Sequence, residues 1–148
     1  MTGASATTSE IKAFFARYGD AFAVRDKDAL ARCFLFPCHF VGDDGDITLT
    51  VISSVEQYLA EIIKPLFRGY RQLGVASGRI RDLQVRFLSP RLRHATILWD
   101  VLDGHGAVLF SHEAAYALAL GASDWRICAI AYHEMREIKA LLASMPSR

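Results

Sequence analysis

The sequence predicts an α+β fold: a curved antiparallel sheet with N-terminal helices packed on its concave face. Up to about Gly74 apolar residues recur every three or four positions, the spacing of helices; beyond it the pattern switches to long β-branched and aromatic runs broken by turn residues. Helices first and hairpin-connected strands afterwards describe segregated layers rather than alternating βαβ units. Size agrees, since 148 residues, 52% hydrophobic and 22% charged, suit one domain over 1–148 with its core at about 9–134.

Taken in order, Thr7 and Glu10 have the spacing of a capping box, and Ile11, Phe14, Phe15, Tyr18 and Phe22 form one stripe on a helix ending near Val24. Asp26 is placed to cap a short second helix through Leu30 and Phe34, which Pro37 ends. Residues 38–41 read as a short strand, 42–45 as a turn and 47–52 as an extended β-branched run. Ser53 and Glu56 repeat the capping-box spacing before a third helix striped by Val55, Leu59, Ile62, Leu66 and Tyr70, which Pro65 kinks or splits. Strands over 79–88, 92–102, 107–120 and 125–133 follow, with Asp103-Gly104-His105-Gly106 as a tight hairpin and 134–143 as a short helical tail.

Composition narrows the function classes. A net charge of +1 argues against a dedicated nucleic-acid binder, which needs a strongly basic surface. The longest apolar run, residues 114–120, falls far short of the roughly 20 residues of a membrane helix. Residues 1–10 lack both the basic and the apolar region of a signal peptide, so a cytoplasmic protein is expected. Cys33, Cys38 and Cys128 are odd in number and flanked by apolar residues, which suits free thiols in a reducing compartment. The five histidines show no helical two-histidine spacing, and Cys33, Cys38 and His39 match no ligand pattern, so neither a metal nor another cofactor is expected. Phosphate loop and nucleophile elbow are both absent from the sequence.

Several local patterns point further. They are Arg25-Asp26-Lys27-Asp28-Ala29-Leu30, Phe34 with Pro37, Tyr70-Arg71-Gln72-Leu73-Gly74, the strand reaching Trp99, the 103–106 hairpin, and Tyr116-Ala117-Leu118 before Trp125-Arg126-Ile127. In that order the chain resembles the nuclear-transport-factor-2-like superfamily (SnoaL-like, ketosteroid-isomerase-like) from about Ser9 to Glu134. The resemblance implies a cone with an apolar pocket between helices and concave sheet, and often a homodimer through the sheet. Its members share a fold and not a chemistry. In the comparison with ketosteroid isomerase, Arg17-Tyr18 resembles the stretch carrying a hydroxyl donor to the oxyanion, which makes Tyr18 the expected donor. The position of the aspartate base falls on Gly42, with Asp43 one residue late. A second donor aligns with Glu113 when counted from Gly104 and with Tyr116 when counted from Trp125.

Pairing across the 103–106 hairpin puts Ile97, Trp99, Val101, Phe110, His112, Ala114 and Tyr116 on one face, and His94, Thr96, Leu98, Asp100, Leu109, Ser111, Glu113 and Ala115 on the other. The first set is bulkier and more aromatic, so it is assigned to the concave side. The reverse assignment would instead line the pocket with His94, Asp100 and Glu113. His112 reads either as a general acid or base near Tyr116 or as a neutral core histidine. Seven arginines at 68, 71, 79, 81, 86, 91 and 93 face a single acid, Asp82, and read as a solvated face or intersubunit salt-bridge network before an anion site. The expected function is binding of a small apolar or amphipathic molecule in a pocket lined by Tyr18, Phe40, Trp99, His112 and Tyr116. The alternative is an isomerase, dehydratase or cyclase using His112 or a carboxylate as acid/base with Tyr18 as donor. A polar pair at the pocket floor favours the enzyme, and an apolar floor favours binding alone. A homodimer through the convex side is expected from the apolar Leu98, Leu109, Ala115, Ala117 and Ala119.

Overall fold

The structure, a computed structural model, describes residues 3–146. Helices α1 (Gly3–Ala23) and α2 (Lys27–Arg32) lead into strands β1 (Phe34–Asp43) and β2 (Ile47–Ile52). Helix α3 (Val55–Tyr58), a π-helical turn (Leu59–Ile63) and α4 (Lys64–Leu73) come next. Strands β3 (Val75–Ser89), β4 (Leu92–Asp103), β5 (Val108–Leu120) and β6 (Trp125–Tyr132) and helix α5 (Glu134–Ser144) complete the order. The six strands form one curved, unclosed sheet in the order β2-β1-β6-β5-β4-β3. Neighbours are antiparallel except β1 and β6, which run parallel, because the chain returns to β1 only after crossing over through the helices and the β3–β5 meander. Among the described residues no helix is long and apolar enough to cross a membrane.

Local signals and structure part at four places, each for a physical reason. Helix α1 already runs through Thr7, so the Thr7–Glu10 spacing does not mark its start. Glu10 accepts instead from Trp125 Nε1 at 3.1 Å, tying the helix to β6. Asp26 does cap α2, accepting from the Ala29 N–H at 3.0 Å, but that helix stops at Arg32 and Phe34 opens a strand. Pro37 sits within β1 at the register irregularity between Phe34 and His39, before pairing with β2 begins at Cys38, where its missing N–H breaks no ladder bond. The capping box lies one residue later than expected: Ser54 Oγ accepts from the Gln57 N–H at 3.1 Å, and Gln57 Oε1 accepts from the Ser53 N–H at 2.8 Å. The helical segment is divided just before Pro65, which falls in the first turn of α4; the π turn that precedes it inserts an extra residue and rotates the stripe, so Val55 is exposed while Tyr58, Ile63 and Phe67 join Leu66 and Tyr70 in the core.

The core lies between α1 and the concave face, with Ile11 and Phe15 of the helix and Ile97, Leu118 and Ile127 of the sheet fully enclosed. The C-terminal helix belongs to this core as well. Ile138 of α5 is fully buried against α4, and a Cβ on Gly69 would come within 2.9 Å of Ile138 Cγ2, so the mid-helix glycine marks a close approach.

The register pairs Trp99 with His112 and Ala95 with Tyr116, and every residue of the aromatic set is buried on the concave face. The reversed assignment therefore fails. Asp100 is on the convex face as expected, yet it is buried there. Arg81 donates to it at 2.6 and 3.1 Å, Arg79 at 3.1 Å and the Ser111 hydroxyl at 2.7 Å, which holds its carboxyl down at about 2. The arginine stretch is thus not one patch. Arg79 and Arg81 close an ion-pair network within the chain, Arg91 donates to the carbonyls of Leu120 and Gly121, and Arg93 is buried between the rings of Phe87 and Trp125. Toward β2 the convex face carries one apolar row across four strands, Leu49, Val41, Ala131 and Ala115, and beside it Val51, Ala129 and Ala117 in a row that His39 interrupts.

Candidate functional site

Where α1, the π turn and α4 arch over the concave sheet they leave an apolar cleft. Tyr18, Phe40, Trp99, His112 and Tyr116, the five residues expected from sequence, all have side chains on it. Its free space is small, about 60 Å³ for the centres of water molecules, room for a few waters. Tyr18 comes from α1, Phe40 from β1, Trp99 from β4, and His112 and Tyr116 from β5, four residues apart on one face with small Ala114 between them.

Two polar groupings interrupt the aromatic wall. In the first, Trp99 Nε1 donates to Tyr116 Oη at 3.0 Å, satisfying both groups inside the core. The hydroxyl of Tyr18 has no hydrogen-bond partner among the described residues, and burial pushes its pKa well above the ordinary value, so it is protonated and free to donate. In the second, the Glu134 carboxylate accepts from Tyr70 Oη at 2.5 Å and lies 3.6 Å from His112 Nε2. Glu134 and His112 are both buried, only 6% and 7% exposed, at the edge of the same cleft.

Burial lowers the His112 pKa, and the nearby Glu134 offsets this only in part, so the ring is neutral at pH 7. Its Nδ1 is enclosed without a partner. A buried lone pair left idle costs less than a buried N–H, so the favoured tautomer carries its hydrogen on Nε2, toward Glu134. Tyr70 is held protonated by burial first and by the adjacent carboxylate second. The cluster is therefore a carboxylate with two neutral donors beside it. His133 backs it from outside: its ring stands edge-on to His112 at 6.1 Å, accepts from the Glu113 N–H at 3.0 Å and pairs with Glu137 at 2.9 Å.

The alignment-based alternatives separate cleanly. A Cβ at Gly42 would come within 2.7 Å of Thr48 Oγ1, so packing occupies the place of the isomerase base. Asp43 pairs with Arg136 at 3.6 Å, outside the cleft. Tyr116 is in the cleft and Glu113 is exposed on the other face. The thiols offer no nucleophile, because burial pushes Cys33 up to about 11 and Cys38 to about 12. Among the described residues no group of three or more His, Cys, Asp or Glu side chains is arranged to hold a metal ion.

Sequence reasoning missed Glu134, which it left at the border of a tail. The available signal was the spacing of Met135, Ile138, Leu141 and Leu142, an apolar stripe that obliges the tail to dock and carries Glu134 inward. Tyr70 was read as core alone, although a buried tyrosine hydroxyl needs a partner.

No curated protein matches the chain in sequence. Among solved structures it is similar to Aln2 from a Streptomyces species, with 17% identity, TM-score 0.66, and 87% of this chain and 90% of that one covered. An NTF2-like protein with a cystatin-like fold from Novosphingobium aromaticivorans gives 16% identity and TM-score 0.66 over 91% and 88%. A candidate scytalone dehydratase from the same species gives 11% and 0.66 over 89% and 87%. These likenesses establish the fold. The family described as NTF2-like protein (DUF6841) matches residues 9–135, nearly the whole of the described core, and the chain belongs to that family.

Proposed function

We propose that the cleft binds a small, largely apolar molecule and that Glu134 moves a proton on it. The supporting observation is the Tyr70–Glu134–His112 cluster, a buried carboxylate flanked by neutral donors in an otherwise aromatic cleft. A site for binding alone has no need of such a group at its wall, since burying a carboxylate is costly unless it is paired. In this reading the carboxylate takes a proton from a carbon next to a ligand carbonyl. The negative charge that develops on the carbonyl oxygen is met by a hydrogen bond from the free Tyr18 hydroxyl, while the neutral His112 stays beside the carboxylate. Returning the proton to a different carbon gives isomerisation; expelling a β-hydroxyl, protonated by a neighbouring donor, gives dehydration.

The test is deuterium wash-in from D₂O to a panel of cyclic enones and β-hydroxyketones, followed by mass spectrometry. Wild type is expected to accelerate exchange of at least one panel member, and Glu134→Gln to lose about 10²-fold or more of that rate, the usual scale for a general base. Panel members that bind without any accelerated exchange would reduce the protein to a binding domain.

A second copy on the convex face is also proposed. Ile47 and Leu49 on the edge strand β2 are 68% and 77% exposed, and the apolar rows beside them continue through Val41 and Ala131 to Ala115. An apolar face of that continuity is unusual on a monomer.

A further inference from the structure

A basic groove lies outside the cleft along α4 and the α1–α2 corner, lined by Arg25, Lys27, Lys64, Arg68 and Arg71 against a single acid, Glu56. None of the five has an ion-pair partner among the described residues, in a chain whose net charge is only +1. Lys64, Arg68 and Arg71 are spaced four and three apart on one exposed face of α4, a helix without any acid. Three like charges so stacked repel one another, and an anion is what relieves the repulsion.

Arg25 joins this groove to the cleft, being the one described residue that lines both. Its backbone is left-handed, with φ 58, a conformation that favours glycine at the end of a helix. The side chain is fixed on two sides. Its guanidinium donates to the carbonyls of Phe22 and Val75, each at 2.6 Å, and stacks on Phe67 and Tyr70 at 5.4 and 5.0 Å. Two bonds leave three of its five N–H groups uncommitted on a cation already held in place, the preorganised fork that carboxylates and phosphates fit.

We infer that the ligand of the cleft is amphipathic and carries an anionic end, a carboxylate or a phosphate, which Arg25, Arg68 and Arg71 hold in the groove while the apolar part enters between the aromatic walls. This rests on the cleft being the binding site and specifies the class of molecule it takes. Arg79, Arg81, Arg91 and Arg93 are engaged elsewhere in the fold, whereas Arg68 and Arg71 of α4 meet Arg25 and two lysines in the groove.

Calorimetry with hexanoate, hexyl phosphate and 1-hexanol tests the inference, because the three share a tail and differ in the end group. Both anions are expected to bind wild type about tenfold or more tighter than the alcohol, the worth of one charge-assisted contact. That preference should weaken as salt is raised. The double variant Arg68→Glu/Arg71→Glu, both sites being exposed, should lose the preference while binding hexanol as wild type does, which also shows that it is folded. Equal affinity for anion and alcohol overturns the anionic end and leaves the cleft standing, as does an anion preference that survives in the double variant. Failure of all three probes to bind overturns this inference together with the cleft reading beneath it.

Discussion

Truncating Tyr70 and Glu134 singly and together measures whether the carboxylate is held where proton transfer needs it. The two groups meet at 2.5 Å, and each residue is only 6% exposed, so removing one partner leaves the other largely desolvated. Tyr70→Phe removes the donor and leaves Glu134 with His112 at 3.6 Å as its remaining polar neighbour. A hydrogen bond to a charged group contributes about 1.5–3 kcal/mol, and a similar loss is expected for Glu134→Ala, which strands the Tyr70 hydroxyl and opens a small cavity. The double variant has neither group left unpaired, so its destabilisation should fall short of the sum of the singles by about 1.5–3 kcal/mol. Urea unfolding at pH 7.5, with unchanged denaturant slopes, supplies the four values. A coupling below about 0.5 kcal/mol would mean that the hydroxyl does not orient the carboxylate, and the assignment of Glu134 as a fixed base would fall with it.

Three further outcomes follow from the same structure. The depressed pKa of His112 means the unfolded chain binds its proton first: the contribution to stability is complete above the unfolded value of about 6.5 and is lost as pH falls toward the folded value, so His112→Gln should flatten the fall in urea midpoint between pH 7.5 and 5.5 relative to wild type. Trp99→Ala, which removes a buried ring and the Tyr116 hydrogen bond, should cost about 3–5 kcal/mol in a denaturant titration, and a loss under about 1 kcal/mol would contradict the packing of the concave face. Sedimentation at micromolar concentration should give a dimer for wild type and a monomer for Ala117→Arg; wild type at the mass of one 16.4 kDa chain would refute the convex interface.

The fold was legible where a single period governed a long stretch. Over residues 92–99 and 110–117 burial follows a two-residue alternation, and it places Trp99, His112 and Tyr116 on the concave face. Legibility failed where a local signal had two structural solutions. Ser53 and Ser54 are both competent caps, and only the Gln57 side chain, reaching back to the Ser53 N–H, decides between them. Pro65 forbids a regular hydrogen bond but does not say whether a kink, a break or a π turn absorbs the loss. Asp100 was assigned to the convex face correctly, while its burial depended on Arg79 and Arg81 folding over it from the neighbouring strand.

The acid–base cluster was illegible for a different reason. Tyr70, His112 and Glu134 lie on α4, β5 and α5, and no spacing relates them; each reads alone as a core tyrosine, a core histidine and a surface glutamate. What unites them is the docking of α5, and the residue that permits it is Gly69, next to Tyr70, which lets Ile138 approach α4 closely. Once Ile138 is seated, the first turn of α5 is fixed, and Glu134 at its start faces Tyr70 and His112, the end of a helix where a negative charge is favoured. The carboxylate thus reaches the cleft by an apolar contact four residues away, and the same contact that stabilises the fold sets the geometry of the proposed base.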